Sequence, residues 1–190
     1  MKFLLSSLVL LLSLVGCMSS PKSTYYTLSP VPIPQEPARN KIRIMVGPVA
    51  LPDLLDQPKL VVHNSGNEVK MHEYDRWAGS LKNDVGRVVA AKLALDLNTS
   101  TVWSFSQSTQ IDFDYQVLID VQNLDSRVDD SVLLDMLWTI KPTDTKRKPI
   151  TGRSLVRETV DGSSMDALVA AQSRAFAVAS ADIARALGQR

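Results

Sequence analysis

Thiols, imidazoles and surplus charge are all scarce in this sequence, and each scarcity removes a class of chemistry. The 190 residues include one cysteine, Cys17, and two histidines, His63 and His72. A single cysteine excludes an intrachain disulfide. If that thiol is covalently occupied, thiolate metal sites and cysteine nucleophiles go with it. A Ser-His-Asp triad would have to recruit His63 or His72, and no serine lies in a Gly-x-Ser-x-Gly context. Basic and acidic residues number 21 and 20, so the chain lacks the positive field that nucleic acid requires. The local exception is Lys146-Arg147-Lys148, lying between Pro142 and Pro149. It reads as a solvated loop, with a phosphate or headgroup site as the alternative.

What is present at the start is more telling. Met1-Lys2 supplies a positive end, Phe3 to Val15 is largely apolar, and Leu14-Val15-Gly16-Cys17 places a small residue before the thiol. The run is too short for a permanent transmembrane helix and reads as a cleaved export signal. A cysteine directly after Gly16 adds lipid attachment to it: an N-acyl diacylglycerol on Cys17, residues 1–16 removed. The alternative is a plain secretory peptide with a chance cysteine. Several acyl chains, at roughly 0.8 kcal/mol per buried methylene, exceed the one-chain level at which binding is reversible. Met18 is not aspartate, the inner-membrane retention signal of enteric-type sorting. The expected location is therefore the periplasmic face of the outer membrane. Residues 17–24 form a lipidated tether and residues 25–190 a single domain, large enough to bury a core without disulfides.

After the tether, Pro30, Pro32, Pro34 and Pro37 favour an extended spacer. Lys41 to Val46 alternates and reads as a half-buried strand, with Ile42, Ile44 and Val46 inward. Lys59–His63 and Glu68–His72 flank Asn64-Ser65-Gly66-Asn67. A two-residue Ser65-Gly66 loop would pair Val62 with Val69, Leu60 with Met71 and His63 with Glu68. That register holds the imidazoles about 13 Å apart at roughly 3.3 Å per residue, too far to share a metal. The carboxylate pairs Asp129-Asp130 and Asp112/Asp114 read as solvated charge at strand edges, with acid-base work or Ca²⁺ binding as the alternatives.

Helical spacing of Trp77, Leu81, Val85, Val88, Val89 and Leu93 predicts a helix from Asp75, as N-cap, to about Asn98, with Trp77 in the core. Thr101–Phe105, Phe113–Val121, Val132–Ile140 and Arg153–Val160 read as strands, the last three as an antiparallel meander. A second helix follows Asp161-Gly162, with Ser163 as N-cap and Met165, Leu168, Val169, Gln172, Phe176, Ala179, Ile183 and Leu187 as its stripe. The fold class expected is α+β: a mixed, largely antiparallel sheet with two main helices packed on it. No catalytic residue and no metal ligand set is assigned, and no cofactor is expected beyond the acyl group.

A series of short motifs carries a resemblance: Tyr25-Tyr26-Thr27-Leu28, Val46-Gly47-Pro48-Val49 with Leu51-Pro52, Leu54-Leu55-Asp56-Gln57-Pro58, and Tyr74-Asp75-Arg76-Trp77-Ala78. In this order the chain resembles the ABC-type transport auxiliary lipoprotein family, and within it the PqiC-type lipoproteins. The resemblance implies a non-enzymatic part of a trans-envelope lipid-transport system. It would dock a PqiB-like, MCE-domain periplasmic tube protein to the outer membrane as a homo-oligomeric ring. The competing reading is a structural or cell-wall-associated envelope lipoprotein without a transport role. Within that frame the segment Gly47 to Pro58, restricted by prolines and carrying Leu51, Leu54 and Leu55, is the expected partner or ring interface. Alternatively its leucines fold back on the core.

Overall fold

The computed structural model describes residues 21–28, 40–105 and 111–189. Cys17, the signal segment and the proline-rich stretch lie outside the described residues. Ten elements follow in order: β1 (Thr24–Tyr26), β2 (Ile44–Ala50), β3 (Lys59–His63), β4 (Val69–Trp77), α1 (Leu81–Asp96), β5 (Val102–Ser104), β6 (Tyr115–Ser126), β7 (Ser131–Pro142), β8 (Ile150–Thr159) and α2 (Met165–Gly188). They form an α+β domain with two sheets rather than one: a five-stranded sheet ordered β5-β2-β6-β7-β8 and a three-stranded sheet ordered β1-β4-β3. α1 packs on β2 and β5, α2 on β7 and β8, and the helices on each other, so both cover one face of the large sheet.

The meander β6-β7-β8 is antiparallel as expected. Tyr115, Val117, Ile119 and Val121 of β6 and Val132, Leu134, Met136, Trp138 and Ile140 of β7 are all buried. A bulge after Val121 resets the alternation, so Leu124 and Ser126 also turn inward. Trp138 lies across Gly152 of β8, where an added Cβ would sit 2.2 Å from the indole. The indole N–H donates to Ser154 Oγ (3.1 Å), which donates to Asp182 of α2 (2.6 Å). The meander and α2 are thus joined by apolar packing and one satisfied polar chain. Buried Gln172 adds a second tie, donating to Ser126 Oγ at 2.8 Å. α2 begins one residue later than its sequence suggests, because Ser164, not Ser163, caps it by accepting from the Ala167 N–H.

Three expectations are corrected. β2 is not half-buried. It lies between two parallel neighbours, and Ile44, Met45 and Val46 are each at most 3% exposed, because both faces of a central parallel strand are covered. The hairpin register is shifted by one: Val62 faces Lys70 and His63 faces Val69. The turn holds three residues, since the Asn64 N–H bonds to the Glu68 carbonyl and the Glu68 N–H to the Ser65 carbonyl. Finally, Asp75 to Trp77 is strand, not helix. β4 runs on because β1 lies alongside it in parallel, Thr24 opposite Asp75 and Tyr26 opposite Trp77. Trp77 is core as expected, 6% exposed, but from the end of a strand.

Candidate functional site

The motifs that carry the resemblance are scattered in sequence and converge on one corner, around the first turns of α1. β1 delivers Tyr25-Tyr26-Thr27-Leu28 there. The Tyr26 carbonyl accepts from the Ala78 N–H (2.7 Å) and its phenol donates to Asp75 Oδ1 (3.1 Å). Burial first, and the Asp75 carboxylate second, raise that phenol's pKa above its usual range. One residue further, Asp84 of α1 accepts from Thr27 Oγ1 (2.7 Å) and from the Leu28 N–H (3.2 Å). Arg87 completes the clamp, donating to Thr27 Oγ1 (3.1 Å), the Leu28 carbonyl (3.2 Å) and Asp84 (3.1 Å). Leu28 itself is fully buried. Two charged groups thus satisfy the backbone of a segment too short to form a sheet of its own.

The Leu51–Pro58 loop docks at the same corner. Leu55 and Asp56 donate from their backbone to the Pro52 carbonyl, and Gln57 Nε2 donates to the Leu54 carbonyl at 2.8 Å. Trp77 N–H reaches the Pro58 carbonyl (2.8 Å), and Lys82 pairs with Asp56 (2.6 Å). Of the three leucines singled out, Leu55 is buried in the core at 7% exposure, while Leu51 and Leu54 are half-buried and packed against it.

Beside this loop opens a groove of about 690 Å³, lined by Val46–Val49, by Lys82, Asn83, Asp84, Gly86 and Arg87 of α1, and by Ser104 and Phe105. Its shape comes from Gly47, whose φ of +114° is rarely accessible to other residues and whose added Cβ would lie 2.7 Å from that of Phe105. β5 pairs only with Ile44–Val46. The backbone of β2 from Gly47 to Ala50 therefore has no strand on that side among the described residues. Phe105, 43% exposed, stands at its rim.

The other polar residues raised by the sequence are dispersed. His63 and His72 line a smaller cleft of about 360 Å³ with Lys70 and Arg127. His63 Nδ1 lies 3.3 Å from Asp125 Oδ1, without the angle of a hydrogen bond, and His72 Nδ1 lies 3.2 Å from Asp75. Asp114 is held by Arg43, through both side chain (2.9 Å) and backbone N–H (2.9 Å), which keeps its carboxyl below the usual range. Asp112 is exposed, and Asp130 lies 4.0 Å from Arg157. Arg147 donates to the Tyr115 hydroxyl within an exposed loop. Among the described residues no three His, Cys, Asp or Glu are placed to hold a metal ion, and no helix is long and apolar enough to cross a membrane.

Sequence reasoning missed Asp84 and Arg87, which look like polar interruptions of the α1 face. Their partners lie 57 and 60 residues away, and nothing local announces them.

A family model described as ABC-type transport auxiliary lipoprotein component matches residues 26–184. A crystal structure of an uncharacterized protein superposes with TM-score 0.70 at 21% identity, covering 88% of this chain and 99% of that one. A second, of a protein from Xanthomonas campestris, gives TM-score 0.63 at 16% identity over 85% of this chain and 93% of its own. Both are similar in fold. No curated protein matches in sequence.

Proposed function

The chain belongs to the family of ABC-type transport auxiliary lipoprotein components, and from that premise we propose that it is an outer-membrane lipoprotein of a trans-envelope, MCE-type lipid transport system. In this reading Cys17 carries the lipid, and the folded body docks the end of a periplasmic MCE-domain tube as a homo-oligomeric ring. It works by binding, not by catalysis. The observation that supports this most is the convergence of the four motifs on the corner at the start of α1. Beside them opens a groove lined by Val46–Val49 of one of these motifs, where Gly47–Ala50 has no strand on one side among the described residues. Such an edge is a template for an added segment of a partner.

The test is purification of the tagged full-length protein from chemically crosslinked envelopes. Recovery of an MCE-domain protein supports the transport reading. Recovery of cell-wall material alone would favour a structural envelope lipoprotein instead. Substitution Cys17→Ser is expected to leave the protein unlipidated and out of the membrane fraction; unchanged membrane association would refute the anchor.

A further inference from the structure

The small sheet has two sides. Tyr26, Asp75 and Trp77 point inward: Tyr26 is registered with Trp77 and bonded to Asp75, and Trp77 is buried. Pairing places Tyr25, Arg76 and Lys59 on the outer side, with Tyr25 opposite Arg76 and Lys59 opposite Arg76 on the other flank, and Tyr74 is exposed beside them where the β3-β4 register slips. Tyr25 is 63% exposed and Tyr74 46%, among the most exposed large apolar side chains of the described residues. Lys59 and Arg76 on this side, and exposed Lys22 just before β1, face one carboxylate, Glu73, which pairs with Lys59. The patch is therefore aromatic and net basic.

Its position relative to the anchor is fixed by covalent geometry. Six residues, Met18 to Ser23, separate Cys17 from this sheet, so at roughly 3.3 to 3.6 Å per residue Thr24 can stand no more than about 25 Å from Cys17. The Asp84–Arg87 clamp on Thr27 and Leu28 limits any lengthening of the tether by peeling to the residues before Thr27. Tyrosine rings seat themselves at the headgroup level, amphipathic side chains being favoured there, and lysine and arginine are drawn to anionic lipid.

We propose that the outer face of the β1-β4-β3 sheet, centred on Tyr25, Tyr74, Lys59 and Arg76, rests on the lipid surface. The domain is then oriented by two contacts, the acyl anchor and this face, instead of swinging on a tether. The proposal rests on acylation of Cys17. The opposite end of the molecule is marked by Arg185, exposed in the last turn of α2. Met165, at the start of that helix, lines a cleft with Val62 of β3, and a rise of about 1.5 Å per residue carries Arg185 about 30 Å away.

Acylation leaves no other thiol in the chain, so a cysteine introduced at one position can be labelled alone. Full-length lipidated protein carrying Tyr74→Cys or Arg185→Cys, labelled with an environment-sensitive fluorophore, is reconstituted in vesicles of phosphatidylethanolamine and phosphatidylglycerol. Nitroxide-bearing lipid is expected to quench the label at 74 several-fold more than the label at 185. Adding Lys59→Glu and Arg76→Glu should reduce that difference while the protein still floats with the vesicles. Flotation with equal quenching at both sites overturns the face contact and leaves the anchor standing. Protein that does not float with vesicles overturns the anchor, and the proposal with it.

Discussion

The two halves of this molecule are held together by different physics. The meander and α2 form a body in which Leu134, Met136, Ile140, Leu168, Phe176 and Ile183 are each fully buried and β7 pairs with β8 without a break from Ser131 to Ile140. The corner at the start of α1 has a three-residue strand, a bulged hairpin, a loop and a clamp of two charged side chains. Burial stabilises the first region in proportion to area, through many small contacts. Directional bonds specify the second, each contributing about 1 kcal/mol net. The family motifs lie in the second region, where the groove opens, which is where binding surfaces are expected when a rigid scaffold supports them.

The sharpest way to break that contrast is to cut into each side. Phe176→Ala removes a fully buried ring from the body and should cost about 3 to 5 kcal/mol in thermal or denaturant unfolding of the whole domain. Trp77→Ala is expected to cost a similar amount, since Trp77 is the aromatic through which the corner reaches the core. A Trp77→Ala protein that melts normally yet fails to bind its partner would mark the residue as a contact instead.

Asp84→Ala should cost less, about 1 to 3 kcal/mol, because it strands the Leu28 N–H and the Thr27 hydroxyl. Its effect should be local. Hydrogen exchange is expected to accelerate at β1 and the start of α1 while β6, β7 and β8 keep their protection. Equal acceleration in both regions would show that they unfold as one unit.

Much of the body was legible in the sequence and much of the corner was not, for a physical reason. Phe113 to Val121 and Val132 to Ile140 announce their buried faces by a period of two, and the α2 stripe by a period near 3.6; both signals are local. In the corner, Trp77, Leu81 and Val85 happen to keep a helical spacing, so the end of β4 mimics the start of a helix. Distant partners make it a strand: β1, whose Tyr26 meets Asp75 from 49 residues away, on one side, and Pro58 and Lys59 on the other. The hairpin turn was recognised but its length was not, and one residue of difference exchanges every cross-strand partner. At the candidate site, the motif segments around Gly47 and Leu54 were visible. The clamp was not, and Leu55, read as open to either role, is core.

A smaller test bears on the groove alone. Gly47→Ala forces a side chain into a left-handed backbone position and against Phe105, at a cost of about 1 to 2 kcal/mol. It should shift Phe105 and weaken partner capture while the melting temperature falls only modestly. Capture at the level of the unaltered protein would separate the groove from function.

The smallest effect lies on the surface of the body. Arg153 holds the Asp135 carboxyl below its usual range, as Arg43 does for Asp114. A depressed pKa contributes stability that is present above the unfolded value, near pH 4, and lost as pH falls through the folded one. Asp135→Asn should therefore lower stability slightly at neutral pH and flatten its decline below about pH 4, measured by unfolding across that range. The change should be small because the pair is solvent-screened.

The claim that the corner is the working end and the body its scaffold is tested most directly by placing a photo-crosslinking residue at Phe105, on the groove rim, or at Leu155, on exposed β8. Both proteins are illuminated in intact envelopes. The account predicts that position 105 captures an MCE-domain protein and position 155 does not. Capture from 155 alone, or from neither while the crosslinked envelope still yields the partner, would contradict it.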